Sequence, residues 1–386
     1  MPVATQIPVP MRALLAGARR KESALLELTR QLVLAESPSD GKAAADACVA
    51  LVAARASALG GRVKLHKQRH FGNALEARFG PRSKGGRILL LGHLDTVWPL
   101  GTLKQMPCRI AKGRIWGPGV LDMKAGVAMA LTAIEMLTEA SLLEREVVLL
   151  LTSDEEVGSP ASHSIMEKVA SSCSVVYVLE PAQKLAYKTA RKGTGNWRID
   201  IRGVAAHAGV DFENGASALR ELARVIETVS GWTDLKRGLT VNVGLAGGGS
   251  KTNVVPAEAW AEVDVRMAHK GDGPRIERKF AALRAKDKRC SLMVTGGINR
   301  PPMERTRGTV RLYEQARTLA AEMGLDLPEA ATGGASDGNF TSALGIPTLD
   351  GMGAVGEGAH ALHESVLIEH LAPRTALLAG LLAGRG

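Results

Sequence analysis

A chain of 386 residues with 45% hydrophobic side chains exceeds what one core usually supports, so two domains are expected and a disordered chain is excluded. Only 3% of the residues are aromatic while glycine occurs 43 times, which calls for cores of Ala, Leu and Val joined by tight turns. The net charge of +10 is spread along the chain, densest over 275–289 and 300–311, without a nucleic-acid motif; solvated helix faces account for it, with some enrichment of anionic small substrates, and a nucleic-acid partner is not expected.

No segment approaches the ~20 apolar residues that span a bilayer, so no membrane association is expected. The N-terminus lacks the apolar core and cleavage site of a secretory signal, and a cytoplasmic protein is expected. Cys48, Cys108, Cys173 and Cys290 show no C-x-x-C spacing and read as reduced structural thiols.

In chain order, 11–35 reads as one or two helices, and 40–59 as a helix capped by Asp40 and stopped at Gly60-Gly61. Strands follow at 62–67 and 73–78. The stretch ILLLGHLDTVWP then gives a strand buried on both faces, as in a parallel sheet, ending in His93 and Asp95. Two residues apart on a strand, these side chains share a face, where an aspartate can orient a metal-binding imidazole. The glycine-rich GRIWGPGVLDMKAG holds Asp122 just before a helix over 125–138, where backbone amides could fix its carboxylate or where it could simply cap the helix.

A second buried strand, EVVLLLT, ends in Asp154, Glu155 and Glu156, and a third over 174–179 ends at Glu180. Each acid alone reads as a cap or turn. Acids at three corresponding strand ends point instead to a site in the crevice where open α/β sheets do chemistry.

Beyond Tyr187 the pattern changes to strand 194–203, helix 216–230, strands 239–245 and 257–266, helix 272–288 and a strand over 290–294. This β-α-β-β-α-β order predicts a ferredoxin-like α+β domain, one antiparallel sheet with two helices, inserted into the larger domain and closed by Pro301-Pro302. A helix over 308–323, the turn TGGASDGNF around Asp337, a strand at 347–349, the loop GEGAHALHES and a closing helix follow. The fold class is therefore α/β with an inserted domain: catalytic domain 1–189, insertion 190–300, catalytic domain resumed over 301–386.

The segments GHLDTV, GPGVLDMKAG, TSDEEVGS, LEP, RGVAAHAG, SKTNVVP and GAHALHES, in that order, resemble the M20 zinc peptidases and amidohydrolases, the group containing carboxypeptidase G, aminoacylase and succinyl-diaminopimelate desuccinylase. The resemblance covers nearly the whole chain and leans to the glutamate-carboxypeptidase branch. It implies a zinc-peptidase-like catalytic domain with a mixed, largely parallel sheet and a lid and dimerisation domain. It further implies two Zn²⁺ per subunit, with Co²⁺ or Mn²⁺ as alternatives: one held by His93 and Glu180, the other by Glu156 and His360, with Asp122 bridging. Asp95 would orient His93, Glu155 would be the general base, and a cis peptide would follow Asp122.

The same resemblance implies that His207 reaches the active site of a neighbouring subunit and stabilises the oxyanion, which requires a homodimer. Asn253, Arg266, Arg300 and Gly334 become the candidate substrate contacts, with Arg191 and Lys192 as further anion binders. Of the two late histidines, His360 stands four residues before Glu364, the spacing of the family's metal ligand; His363 is then outside the ligand set.

Nitrogen and carboxylate ligands suit zinc and leave positions open for water. The function implied is hydrolysis of an amide bond next to a free carboxylate, releasing C-terminal glutamate from N-acyl or folate-like small molecules. The alternatives are an M20-type amidohydrolase of another N-acyl amino acid, dipeptide or aromatic amine, and a non-catalytic binding protein on this fold.

Overall fold

The computed structural model describes residues 9–82 and 86–384. The chain divides into two compact units. The first takes everything up to Ala190, then Arg305–Thr332 and the chain from Ser336 onward; the second takes Arg191–Glu304 with Gly333–Ala335. The short 333–335 piece joins the second unit because the buried Arg191 guanidinium donates to the carbonyls of Gly334 (3.2 Å) and Ala335 (3.3 Å).

The first unit is built on a six-stranded sheet in the order Arg62–His66, Ala74–Phe79, Val147–Thr152, Ile88–His93, Val175–Val178, Thr348–Leu349. The last four strands run parallel; at one edge Ala74–Phe79 pairs antiparallel with Val147–Thr152, and Arg62–His66 antiparallel with Ala74–Phe79. The central strands show no alternation because both faces are covered. On one face Leu90, Leu149 and Tyr177 join a cluster with the helices Met11–Arg20, Ala125–Glu139 and Leu371–Leu382; on the other Leu89, Leu91, Val148 and Leu150 pack on Met166 and Phe340. Each such leucine contributes roughly 2 kcal/mol of burial. The register matters most for function: His93 lies opposite Thr152 and Leu91 opposite Val178, so the three strands end side by side.

Two local expectations are corrected. The helix Lys42–Ala58 is not capped by Asp40: Gly41 stands at the cap without a side-chain bond, and a turn closed by Gly41 N–H to the Pro38 carbonyl (3.0 Å) starts the helix. Asp122 does not cap the helix Ala125–Glu139 either; Lys124 holds that position, and Asp122 has extended, non-helical dihedrals one turn earlier. An unforeseen four-stranded sheet joins Gly356–Glu357, Ser365–Leu367, Arg114–Trp116 and Arg109–Ala111.

The second unit has an antiparallel sheet ordered Thr240–Gly248, Glu258–Met267, Gly193–Arg202, Ser291–Arg300, with the helices Ala218–Ser230 and Asp272–Ala281 on one face. Trp197 stacks on Phe280 at 4.3 Å in that core. The second helix stops at Ala281 instead of running to 288, because the amides of Lys286 and Asp287 donate to the buried Glu221 carboxylate (2.8 and 3.2 Å) and so leave the helical ladder. The last strand runs on to Arg300, past Gly296 with its φ of 105°, a pair of glycines that hid the strand in the sequence. No described helix is long and apolar enough to cross a membrane. The four cysteines are unpaired thiols, with Cys48, Cys173 and Cys290 buried.

Candidate metal centre

The ends of the parallel strands supply the first ligands. His93 closes its strand fully buried, with Nε2 3.1 Å from Asp122 Oδ1 and 3.6 Å from Glu180 Oε1. Its other nitrogen, Nδ1, lies 3.0 Å from the backbone carbonyl of Asp95 and 3.5 Å from that residue's Oδ1. Asp95 thus faces His93 through main chain and side chain together, which fixes the ring and leaves Nε2 aimed at the carboxylates.

Asp95 also reaches the next strand end. Its Oδ2 accepts from Ser39 Oγ (2.7 Å) and from the Glu156 amide (3.1 Å), and its Oδ1 from the Glu155 amide (3.2 Å). The short helical turn Glu155–Val157 is therefore pinned to the His93 strand. From the far side Asp337, buried, accepts from Thr152 Oγ1 (3.2 Å) and from Ser159 Oγ, holding the same turn at both ends. Burial pushes the Asp95 carboxyl up, but His93 and the donors outweigh it and hold it below the ordinary aspartate value.

Glu180 follows its strand on a main chain pressed against Gly353. A Cβ at Gly353 would lie 2.1 Å from the Leu179 carbonyl oxygen, so only glycine allows this approach. The Gly353 amide donates to the Glu180 carbonyl (2.8 Å), while the buried Arg374 guanidinium holds the carbonyls of Gly353 (2.6 Å) and Gly351 (2.5 Å).

Asp122 sits on the glycine-rich loop, followed by a cis peptide bond to Met123, as the family resemblance implies. Its second oxygen, Oδ2, is 3.5 Å from His360 Nε2, and His360 Nε2 is 3.2 Å from Glu156 Oε2. His360 adopts a left-handed backbone with φ of 62°, uncommon outside glycine though better tolerated by histidine, and its side chain is half exposed. His363, three residues on, is exposed and outside this cluster.

Two groups result, each with atoms close enough to share one ion: His93, Asp122 and Glu180, then Asp122, Glu156 and His360. Asp122 belongs to both. The donor set fits divalent cations of the zinc class, with one imidazole and carboxylate oxygens in each group. A further sign is Glu156 Oε1, buried and without a hydrogen-bond donor among the described residues, an expensive state unless a cation meets it. The electrostatics agree. Burial alone would lower the pKa of His93, yet Asp122, Asp95 and Glu180 raise it well above the ordinary value; Asp122 and Glu156 raise His360 to about 10. Asp122 is depressed by His360 and His93 against its burial, while burial pushes Glu156 up. Where carboxylates raise both imidazoles in this way they are in excess, and positive charge is wanted.

The remaining candidates lie in the second unit. The His207 ring is exposed, and its Nδ1 accepts from the amides of Gly209 (3.1 Å) and Val210 (3.2 Å), so the neutral ring carries its proton on Nε2 and presents a donor. Asn253 is exposed beside it, its carbonyl accepting from the Ala208 amide (3.0 Å). Arg266 is engaged by Asp264 at 2.8 Å on the same strand face. Arg300 is buried at the end of its strand, with Nη1 3.1 Å from Asn299 Oδ1, and Gly334 is exposed. Glu155 is buried and precedes Glu156 in the pinned turn.

Some contributors carry no local sequence signal. Ser39 stands 56 residues before Asp95, and its link to that carboxylate emerges only in the fold. Trp98 and Glu364 meet through Nε1 to Oε2 at 2.9 Å across 266 residues.

Paired cation positions sharing one aspartate, at the carboxyl edge of a parallel sheet and beside a buried glutamate, define a metal-dependent hydrolase. The chain belongs to peptidase family M20/M25/M40, whose family model matches residues 89–384. Among its relatives, carboxypeptidase G2 of Pseudomonas sp. (strain RS-16) is 29% identical over 290 residues, 72% of this chain and 69% of that protein. Succinyl-diaminopimelate desuccinylase of Cereibacter sphaeroides is 30% identical over 333 residues, 78% of this chain and 84% of that protein. The crystal structure of the aminopeptidase PepT from Bacillus cereus superposes with a TM-score of 0.81 at 23% identity, covering 94% of this chain and 98% of that one.

Proposed function

We propose that this chain is a two-zinc amidohydrolase of the cytoplasm that releases C-terminal glutamate from N-acyl or folate-like substrates and works as a homodimer. The observation that carries the two-ion reading is the position of Asp122, whose Oδ1 faces His93 and Oδ2 faces His360. His93 and Glu180 would hold one ion, Glu156 and His360 the other, with Asp122 shared. Such a pair, when bound, polarises the scissile carbonyl and lowers the pKa of water between them.

The chain's own residues supply the rest. Glu155 takes the proton from the attacking water and returns it to the departing amine. Its main chain is set by Asp95, which holds the orientation of base and ligand together. His207 of one subunit donates Nε2–H to the developing oxyanion in its partner's site, a role supported by the two amides that occupy Nδ1. Asn253 and Gly334 receive the substrate near its free carboxylate. An acidic side chain needs a second cation. Arg266 and Arg300 are the candidates for it.

The similarity to carboxypeptidase G2 supports glutamate as the released residue, and the similarity to a desuccinylase keeps an N-succinyl substrate in view. The test is release of free amino acid from N-aroyl, N-succinyl and dipeptide substrates ending in Glu, Asp, Ala, Leu or Phe. Glutamate should dominate. Preference for another residue would move the substrate class while keeping the chemistry.

A further inference from the structure

Glu364 is fully buried and carries four hydrogen bonds on one carboxylate. Oε2 accepts from the Trp98 indole N–H (2.9 Å) and the Gly119 amide (2.9 Å); Oε1 accepts from the amides of Leu121 (2.8 Å) and Asp122 (3.1 Å). Three of these donors are main-chain groups of the glycine-rich loop, and the last belongs to the aspartate common to both cation positions. The small sheet explains how the group arrives there. Ser365 pairs with Trp116 and Val366 with Ile115, so the strand that begins just after Glu364 lies alongside the one that leads into the loop. Four residues back along the same segment stands His360.

The loop needs such a holder. Gly119 has φ of 70°, and a Cβ there would lie 2.4 Å from Thr96 Cγ2, so the loop passes too close to the His93 segment for any side chain. The amides of Gly119, Leu121 and Asp122 have the Glu364 carboxylate as their acceptor, while that of Val120 turns to the Gly117 carbonyl (3.3 Å), and leaving a buried amide unmet is costly. A carboxylate of full negative charge satisfies several at once, and charge-assisted bonds to amides are about twice as strong as neutral ones.

We propose that Glu364 is the positioning residue of the metal centre: it fixes the main chain at Asp122, and with it the aim of both carboxylate oxygens, while tying that loop to Trp98 and to the His360 segment. Glu364 acts through Asp122 and touches no substrate. This rests on the two-ion reading of the site, and the test separates the two.

Metal-free protein is titrated with Co²⁺, whose visible absorption reports coordination geometry, in the wild type, Glu364→Gln, Glu364→Asp and Trp98→Phe, with thermal melting followed in parallel. Glutamine keeps the shape but turns an NH₂ toward amide donors. Its affinity for the ions should fall about 10–100-fold with an altered Co²⁺ spectrum. Aspartate keeps the charge and should recover part of the loss, and Trp98→Phe, which removes one of the four donors and no loop contact, should lower the affinity less than Glu364→Gln does. In turnover the Glu364→Gln defect should fall on kcat with KM little changed. If Glu364→Gln melts lower but takes two ions with wild-type affinity and spectrum, Glu364 is only a packing residue and the proposal is overturned. Should Glu364→Gln not fold, Glu364→Asp decides by the same readouts. A wild-type chain that takes up fewer than two ions overturns the two-ion reading itself.

Discussion

Asp95 Oδ2 accepts the backbone amide of Glu156 at 3.1 Å, so the residue beside one candidate cation ligand fixes the main chain of another. Asp95→Asn replaces one acceptor oxygen with an NH₂ facing donors from Ser39, Glu155 and Glu156. The expected result is a 10–100-fold loss in metal affinity and in kcat/KM. Titration of stripped protein with Zn²⁺ and steady-state kinetics check it; a variant with unchanged metal affinity would reduce Asp95 to a packing role.

Glu155 should be separable from the ligands around it. Glu155→Gln keeps the turn and its amide bond to Asp95, so two ions should stay bound while kcat falls about 10²–10⁴-fold. Metal analysis of the purified variant beside its turnover number tests this, and substantial turnover would remove Glu155 as the base.

His207 lies in the second unit, away from any cation ligand in sequence. His207→Ala should lower kcat about 10²–10³-fold at unchanged metal content. Mixing His207→Ala with Glu155→Gln gives a second check. If His207 acts across a dimer, mixed dimers recover part of the activity that each variant alone has lost, and no recovery would place His207 in its own subunit's site or outside catalysis.

The acid limit of stability should trace in part to Glu146. This buried carboxylate, just before a central strand, meets Arg62 (2.6 Å), Arg87 (2.5 Å) and Arg78 (3.4 Å). Burial pushes it up, but the arginines outweigh burial and hold its pKa below the ordinary 4.5. A folded value below the unfolded one gives stability that is complete above about pH 4.5 and lost as pH falls through the lower folded pKa. Glu146→Gln should therefore cost about 1 kcal/mol at neutral pH, because Arg62 and Arg87 lose their carboxylate to solvent while Arg78 keeps Glu76, and flatten the acid limb of a denaturation series. Equal acid slopes in wild type and variant would assign that limb to other carboxylates.

The strand ends were legible because 88–91 and 147–151 are unbroken apolar runs, as a sheet covered on both faces requires, that stop at polar residues. His93, Asp122, Glu156, Glu180 and His360 fall into two overlapping groups because register places three strand ends together, and register follows from those same runs. The small sheet was not legible. Its strands, such as Gly356–Glu357 and Ser365–Leu367, are two or three residues long, too short for periodicity to register. Yet that sheet brings the His360 segment to the glycine-rich loop, so the work of Glu364 was hidden with it. Asp337 was similarly obscured: TGGASDGNF reads only as a turn, whereas the carboxylate is buried and holds Thr152 and Ser159. Long-range bonds from single side chains leave no pattern along the chain.

The most direct test of the account is to strip the protein with a chelator, restore Zn²⁺ stepwise, and follow bound metal per chain together with glutamate release from an N-aroyl glutamate. Release should be negligible without metal and activity should rise to its maximum as occupancy reaches about two ions per chain. Full activity in protein shown to be free of metal would contradict it.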